Sequence, residues 1–150
     1  MTYMETKWTK VVSPLRGCFR RHPEVLAVYA FGSTVKGKDR RCRELDLSSD
    51  LDLGVLLSFA VPLGERWEWW KRLQGELGSK VRQEVDVVIL NGASLGVVHE
   101  ILRTGKRIYE KPGRKFRREE AQLLSEALDF LPTKVWIEEQ LVEHVKARHG

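Results

Sequence analysis

Asp50 and Asp52 are separated by one leucine in the run Ser49-Asp50-Leu51-Asp52-Leu53. Side chains alternate faces along a strand, so both carboxylates project to one side and Leu51 and Leu53 to the other. Two carboxylates on one face repel, which raises the pKa of one of them and costs stability while no cation is present. A divalent ion removes that cost. Mg²⁺ suits hard oxygen ligands and typically takes one or two protein carboxylates, filling the rest of its shell with phosphate oxygens and waters. A third acid, Asp86, opens the apolar part of EVDVVIL and joins the pair if its strand lies beside theirs. Three carboxylates can hold two ions about 3.5–4 Å apart, which stabilises the attacking and leaving oxygens of an in-line displacement at phosphorus. Gly32-Ser33 follows an earlier apolar run; the glycine lets backbone approach a phosphate, and Ser33 offers a hydroxyl and an amide. Taken singly, these features are also what solvent-facing strand acids and a strand-ending turn would look like. Their combination is what points to phosphate chemistry.

One competing motif lies in the same stretch. Gly32 to Lys38 (GSTVKGK) matches the first seven positions of the P-loop pattern G-x-x-x-x-G-K-[ST]. The eighth position is Asp39, whose carboxylate would face the phosphates where a Mg²⁺-binding hydroxyl is required. The following DRRCRE is a poor helix start, and the acids of the next strand precede its apolar run, whereas a Walker B aspartate ends one. The P-loop reading is set aside.

The elements that must position these residues follow from periodicity. Residues 5–21 carry Val11, Val12, Leu15 and Phe19 at helical spacing, and Pro23 ends the helix at His22. EVLAVYAF (24–31), LDLGVLL (51–57) and EVDVVIL (84–90) read as strands, and residues 32–49 as a polar, basic loop. Pro62 and Gly64 precede a helix over 65–77; Ser94 caps another reaching Arg103, which Gly105 stops. A short strand at 107–109 and helices over 116–131 and 135–147 complete the chain. Three strands with helices between and around them bury best as a small mixed sheet with helices packed on one face, an α+β or α/β class. Residues 1–110 form the core and 111–150 a helical extension of the same domain. There is no internal repeat.

At 150 residues, 42% hydrophobic and 31% charged, the composition is that of a single globular domain and excludes disordered and collagenous classes. The apolar run Leu53–Leu63, broken by Gly54, Ser58 and Pro62, is too short to span a membrane, and the start METKWTK lacks an apolar signal region. Cys18 and Cys42 lack the spacing of zinc or redox motifs and read as reduced thiols of a cytoplasmic protein. The four histidines form no metal motif. The net charge of +5 is local: the first 49 residues hold ten lysines and arginines against five acids, much of the surplus in Lys36, Lys38, Arg40, Arg41 and Arg43.

Gly-Ser after a first strand, Ser-Asp-x-Asp-Leu on a second and Val-Asp-Val-Val-Ile some thirty residues later resemble the nucleotidyltransferase superfamily that includes DNA polymerase beta. The closest likeness is to its minimal nucleotidyltransferase (MNT) members, and it runs from Val25 to Tyr109, including NGASLGVVHEILRTGKRIYE. The link between Gly-Ser and Asp-x-Asp is longer than in small members, and Asp46-Leu47 offers a second acidic register. Asp50 and Asp52 are preferred because the uninterrupted LGVLL follows them. The resemblance implies that Asp50 and Asp52 bind Mg²⁺ bridging the phosphates of a nucleoside triphosphate. It implies that Asp86 binds the catalytic ion or accepts the proton of an attacking hydroxyl, and that Gly32 and Ser33 hold the triphosphate. Lys36 and Lys38 would neutralise the departing pyrophosphate, unless they belong to a simply solvated basic loop.

MNT proteins of this size are often encoded with a small helical HEPN toxin, and members adenylylate a tyrosine of it. The resemblance therefore implies ATP as donor and a protein hydroxyl as acceptor. Two features are compatible with a protein partner. Trp67, Trp69 and Trp70 share one helix, with Trp70, Leu73 and Leu77 on its core face and Trp67 to one side; Ile137, Leu141 and Val145 form a stripe in the tail. The rival readings are a non-catalytic module that neutralises a toxin by contact, and an enzyme acting on RNA ends or on a small molecule such as an antibiotic. Retention of all three acids argues against the first. For the RNA reading, the basic first third permits binding but has no interleaved aromatic residues for base stacking.

Overall fold

The structure is a computed structural model that describes residues 3–32, 35–36, 44–45, 50–81, 83–113 and 116–129, with backbone only for 3–11, 35–36 and 44–45. The elements are α1 (Tyr3–Arg20), β1 (Val25–Phe31), β2 (Val35–Lys36), β3 (Glu44–Leu45), β4 (Leu51–Leu57), a 3₁₀ turn (Leu63–Glu65), α2 (Arg66–Gly78), β5 (Val85–Ile89), α3 (Leu95–Thr104) and β6 (Lys106–Glu110). A further helix, α4, covers 116–129. The stripe at 137–145, Cys42 and Asp46 lie outside the described residues.

β5, β4, β1 and β6 form one mixed sheet in that order, and β2 and β3 a separate short hairpin within the stretch read as loop. β4 is antiparallel to β1 and parallel to β5, and β6 is antiparallel to β1. The sheet thus has four strands: the three counted into it from sequence and the short strand expected at 107–109, which runs over Lys106–Glu110 along β1.

Helices stand on both faces, not on the single face expected. One core gathers Val12, Leu15 and Phe19 of α1 and Trp69, Leu73 and Leu77 of α2 against Leu51, Leu53, Val55 and Leu57. The other gathers Val98, Ile101 and Leu102 of α3 and Phe116, Leu123 and Ala127 of α4 against Leu26, Tyr29 and Leu56. The continuous apolar run of β1 is the signature of a strand covered on both sides; six of its seven residues are buried. Gly54 admits α3 to the sheet, since a Cβ there would stand 3.0 Å from Ile101 Cγ2. Ser94 caps α3 as expected, its side chain accepting a hydrogen bond from the Val97 amide.

The buried residues of α2 are Trp69, Leu73 and Leu77; Trp70, expected on that face, is only partly buried and packs against the rim of this core. Trp70 sits one position round, at the edge of the sheet, with Trp67 stacked on it at 4.9 Å. Its indole Nε1 donates to Val87 O at 2.9 Å. The Gln74 carboxamide donates to Val85 O and accepts from the Val87 amide. Arg66 donates to Ile89 O and Asn91 O. These are the groups of β5 that turn away from β4, which takes up Glu84 O and the Leu90 amide instead. An edge strand with unpaired backbone groups invites foreign pairing; here three side chains at i, i+4 and i+8 of one helix close it. Asn91 braces the opposite end of the strands, exchanging two hydrogen bonds with the backbone of Leu57.

Gln74→Ala leaves the Val87 amide and Val85 carbonyl without partners. It is expected to lower stability by about 1–3 kcal/mol in urea denaturation, with earlier hydrogen exchange at Val87. Unchanged exchange there would show that the carboxamide does not hold the strand.

Candidate active site

β1 ends where β4 and β5 begin, so one end of the sheet collects Gly32, Asp50, Asp52 and Asp86. Asp52 faces Phe31 on one side and pairs in register with Asp86 on the other. Neighbouring strands lie about 4.8 Å apart and in-register residues share a face, so these two carboxylates point the same way, toward the α3 side of the sheet. Asp52 is half-buried, while Asp50 and Asp86 are exposed. The hydrophobic sequence around them dictates this: Leu51, Leu53, Val85 and Val87 are buried in the opposite core, which forces the intervening acids outward.

Burial pushes the Asp52 carboxyl above its ordinary 3.8, and the charges of Asp86 and Asp50 push it further in the same direction. Two of the carboxylates expected from sequence, Asp86 and Asp50, thus stand close enough to act on the charge of the third, Asp52. Among the described residues no three His, Cys, Asp or Glu side chains already stand close enough to hold an ion by themselves. Uncompensated charge at a half-buried carboxylate with two acidic neighbours nevertheless fits a divalent cation whose remaining ligands come from substrate phosphates and water.

Gly32 lies immediately beyond β1 with φ +74°, and a Cβ there would collide with Asp52 Oδ2. The glycine thus has two reasons to be glycine: the left-handed turn and the close approach of the Asp52 carboxylate to backbone. Ser33 lies outside the described residues, as do the Lys36 side chain and Lys38 to Arg43; β2 places only the Lys36 backbone, opposite Glu44.

Sequence reasoning missed Gln74, which fixes the backbone on either side of Asp86, the indole bond of Trp70 to Val87 O, and Arg66, which holds Ile89 and Asn91. Their signal was present as a polar-aromatic stripe at 66, 70 and 74 beside the apolar stripe at 69, 73 and 77.

The model of the family described as polymerase beta, nucleotidyltransferase matches residues 14–114. The protein adenylyltransferase MntA of Shewanella oneidensis is 30% identical over 87 residues, which are 58% of this chain and 55% of that protein; the match thus spans about half the length of this curated relative. A crystal structure of the toxin-antitoxin MntA-HepT superposes with a TM-score of 0.61 at 18% identity, covering 91% of this chain and 97% of that one. A structure of tri-AMPylated Shewanella oneidensis HEPN toxin in complex with MNT antitoxin gives 0.59 at 20% identity, covering 95% and 98%. A toxin-antitoxin structure with AMP-PNP gives 0.57 at 20%, covering 92% and 97%. At these identities the structures establish a shared fold.

Gly32→Ala is expected to cost roughly 1–2 kcal/mol from the left-handed backbone alone and to displace Asp52, so nucleotide affinity should fall together with melting temperature. Retained affinity would show that the glycine serves only the turn. For Asp52, the folded-state pKa lies above the unfolded one, so the ionised carboxylate opposes folding; that cost is absent below the unfolded pKa and is complete once pH exceeds the raised value. In EDTA, Asp52→Asn should therefore melt above the wild type at neutral pH, with the advantage shrinking toward about pH 4. An advantage independent of pH would contradict this account.

Proposed function

The chain belongs to the polymerase beta nucleotidyltransferase family, and on that premise we propose that it transfers AMP from ATP to a tyrosine hydroxyl of a HEPN-type toxin, acting as the antitoxin of that pair. The observation that carries this reading is the in-register pairing of Asp52 with Asp86 at the strand ends where Gly32 abuts Asp52. Its acceptor side is supported by the likeness to the adenylyltransferase MntA and to an antitoxin seen with an AMPylated HEPN toxin.

In this reading Asp50 and Asp52 would hold Mg²⁺, and Asp86 would bind the catalytic ion or accept the proton of the attacking hydroxyl. Bound Mg²⁺ supplies neutralisation of phosphate charge and polarisation of the α-phosphoryl group. Gly32 and Ser33 would present backbone and hydroxyl to the triphosphate, and Lys36 would offset its charge. The acceptor oxygen forms a bond to the α-phosphorus, the bond from that phosphorus to the bridging oxygen breaks, and pyrophosphate departs. Where Asp86 does not bind an ion, its exposed carboxylate would accept the hydroxyl proton. Little further covalent chemistry falls to the protein, since nucleotidyl transfer requires mainly positioning and charge neutralisation.

The test incubates the protein and its co-encoded HEPN partner with Mg²⁺ and α-labelled ATP, CTP, GTP or UTP in separate reactions. Label from ATP should pass to the partner and remain after protein denaturation, and Asp52→Asn should slow transfer at least about a hundredfold. Label appearing on RNA instead of protein would favour the RNA-end reading, and absence of nucleotide binding by the intact protein would defeat the proposal.

A further inference from the structure

On the sheet edge opposite β5, α1 and β6 border an open cleft of about 520 Å³ lined by Arg16, Arg20, Arg107, Tyr109 and Glu110. Three guanidinium groups share it with one carboxylate. Two of them are braced from below. Arg16 Nε donates to Ile108 O at 3.0 Å, holding that side chain along the outer edge of β6. Arg107 lies 4.6 Å from the Phe116 ring centroid and 3.7 Å from Glu110. Arg20, in the last turn of α1, is exposed and makes no ion pair among the described residues; its charge opposes the rise that burial imposes on the Tyr109 phenol, so it stands near that ring.

Like charges gathered in one cleft repel, and an anion relieves the repulsion. Planar guanidinium forks match phosphate oxygens in pairs, and braced ones lose little freedom on binding. The cleft is not the carboxylate centre. Tyr109 pairs with Val28 and Glu110 with Ala27, toward the start of β1, whereas Asp52 pairs with Phe31 at its end and lies one strand further away. Tyr109 is 8% exposed and offers no face on which a base could stack, so recognition there is of phosphate and not of base.

We propose that the α1–β6 cleft is a second anion site, which takes successive phosphates of a nucleic-acid strand without regard to sequence. It requires nothing of the adenylyl-transfer reading. The same phosphate chemistry could come from a free polyphosphate, and the experiment separates the two. Fluorescence anisotropy of an end-labelled, mixed-sequence RNA oligonucleotide is measured with the full chain across a salt series, for wild type, Arg20→Ala, Arg20→Glu and Arg107→Gln. Wild-type affinity should fall as salt rises. Each lost guanidinium should lower the slope of log K against log salt by about 0.7, and Arg20→Glu should weaken binding at least about tenfold. Arg20 is exposed, so melting temperatures should match that of the wild type and exclude misfolding. Tripolyphosphate at equal phosphate concentration should displace the RNA only weakly. No RNA binding at low salt, binding unaltered in Arg20→Glu and Arg107→Gln, or full displacement by tripolyphosphate would each overturn the proposal.

Discussion

Two carboxylates held side by side on neighbouring strands are the constraint around which the rest of this structure is arranged. Asp52 and Asp86 pair in register, and the protein resists their repulsion by making the strands that carry them hard to move. Leu51, Leu53, Val85 and Val87 anchor those strands in one core, while Gly54 lets Ile101 press on the other face. The result is an unfavourable electrostatic arrangement maintained by favourable packing. A strained local feature that its surroundings over-determine is a common mark of a functional site, and here the excess negative charge is what a cation and a polyphosphate would use.

The clamp from α2 belongs to the same logic. β5 is an edge strand of five residues, and Asp86 sits second in it. Left open, such an edge frays or pairs with another chain. Gln74 bonds the backbone on both sides of Asp86, and Trp70 and Arg66 continue the seal toward Ile89. Packing alone would set which face Asp86 occupies; these polar bonds set its height along the sheet, which decides whether it meets Asp52.

The difference between packing and polar bracing also explains what could be read in advance. Burial leaves a period in sequence, so LDLGVLL predicted β4 to the residue, its alternation put Asp52 on the face opposite Leu51 and Leu53, and Ser94 and Gly105 marked the ends of α3. Polar bracing leaves no period of its own. Trp70 was grouped with Leu73 and Leu77 because all three are apolar and a turn or two apart, yet Trp69 fills the core and Trp70 spends its indole N–H on a strand carbonyl. KRIYE was undervalued as a strand for a related reason: the register shift between Val28 and Tyr29 breaks its alternation, leaving Ile108 and Tyr109 both buried. The run of apolar residues in β1 contained the news that both faces are covered, but a single-face sheet was inferred because the partner of the second face, α3 with α4, is assembled from distant segments.

Closure of both faces and of the β5 edge leaves few places where a ligand can reach the sheet. Helices cover the two faces, α2 seals one edge, and Arg16 of α1 engages the other through Ile108 O. Among the described residues, what remains open is the strand ends, and they differ. At the end marked by Asn91 and Leu57, backbone and side chain are mutually satisfied. At the other, the strands finish or begin with a glycine and three acids whose charges are unbalanced. In the proposed reaction a phosphate substrate carrying a divalent cation would therefore meet the sheet end-on at the carboxylates, while the guanidinium cleft beside β6 lies off the opposite edge. With β1 between the strand of Asp52 and β6, the acidic and basic clusters are kept from neutralising each other, so each retains its charge for a ligand of opposite sign.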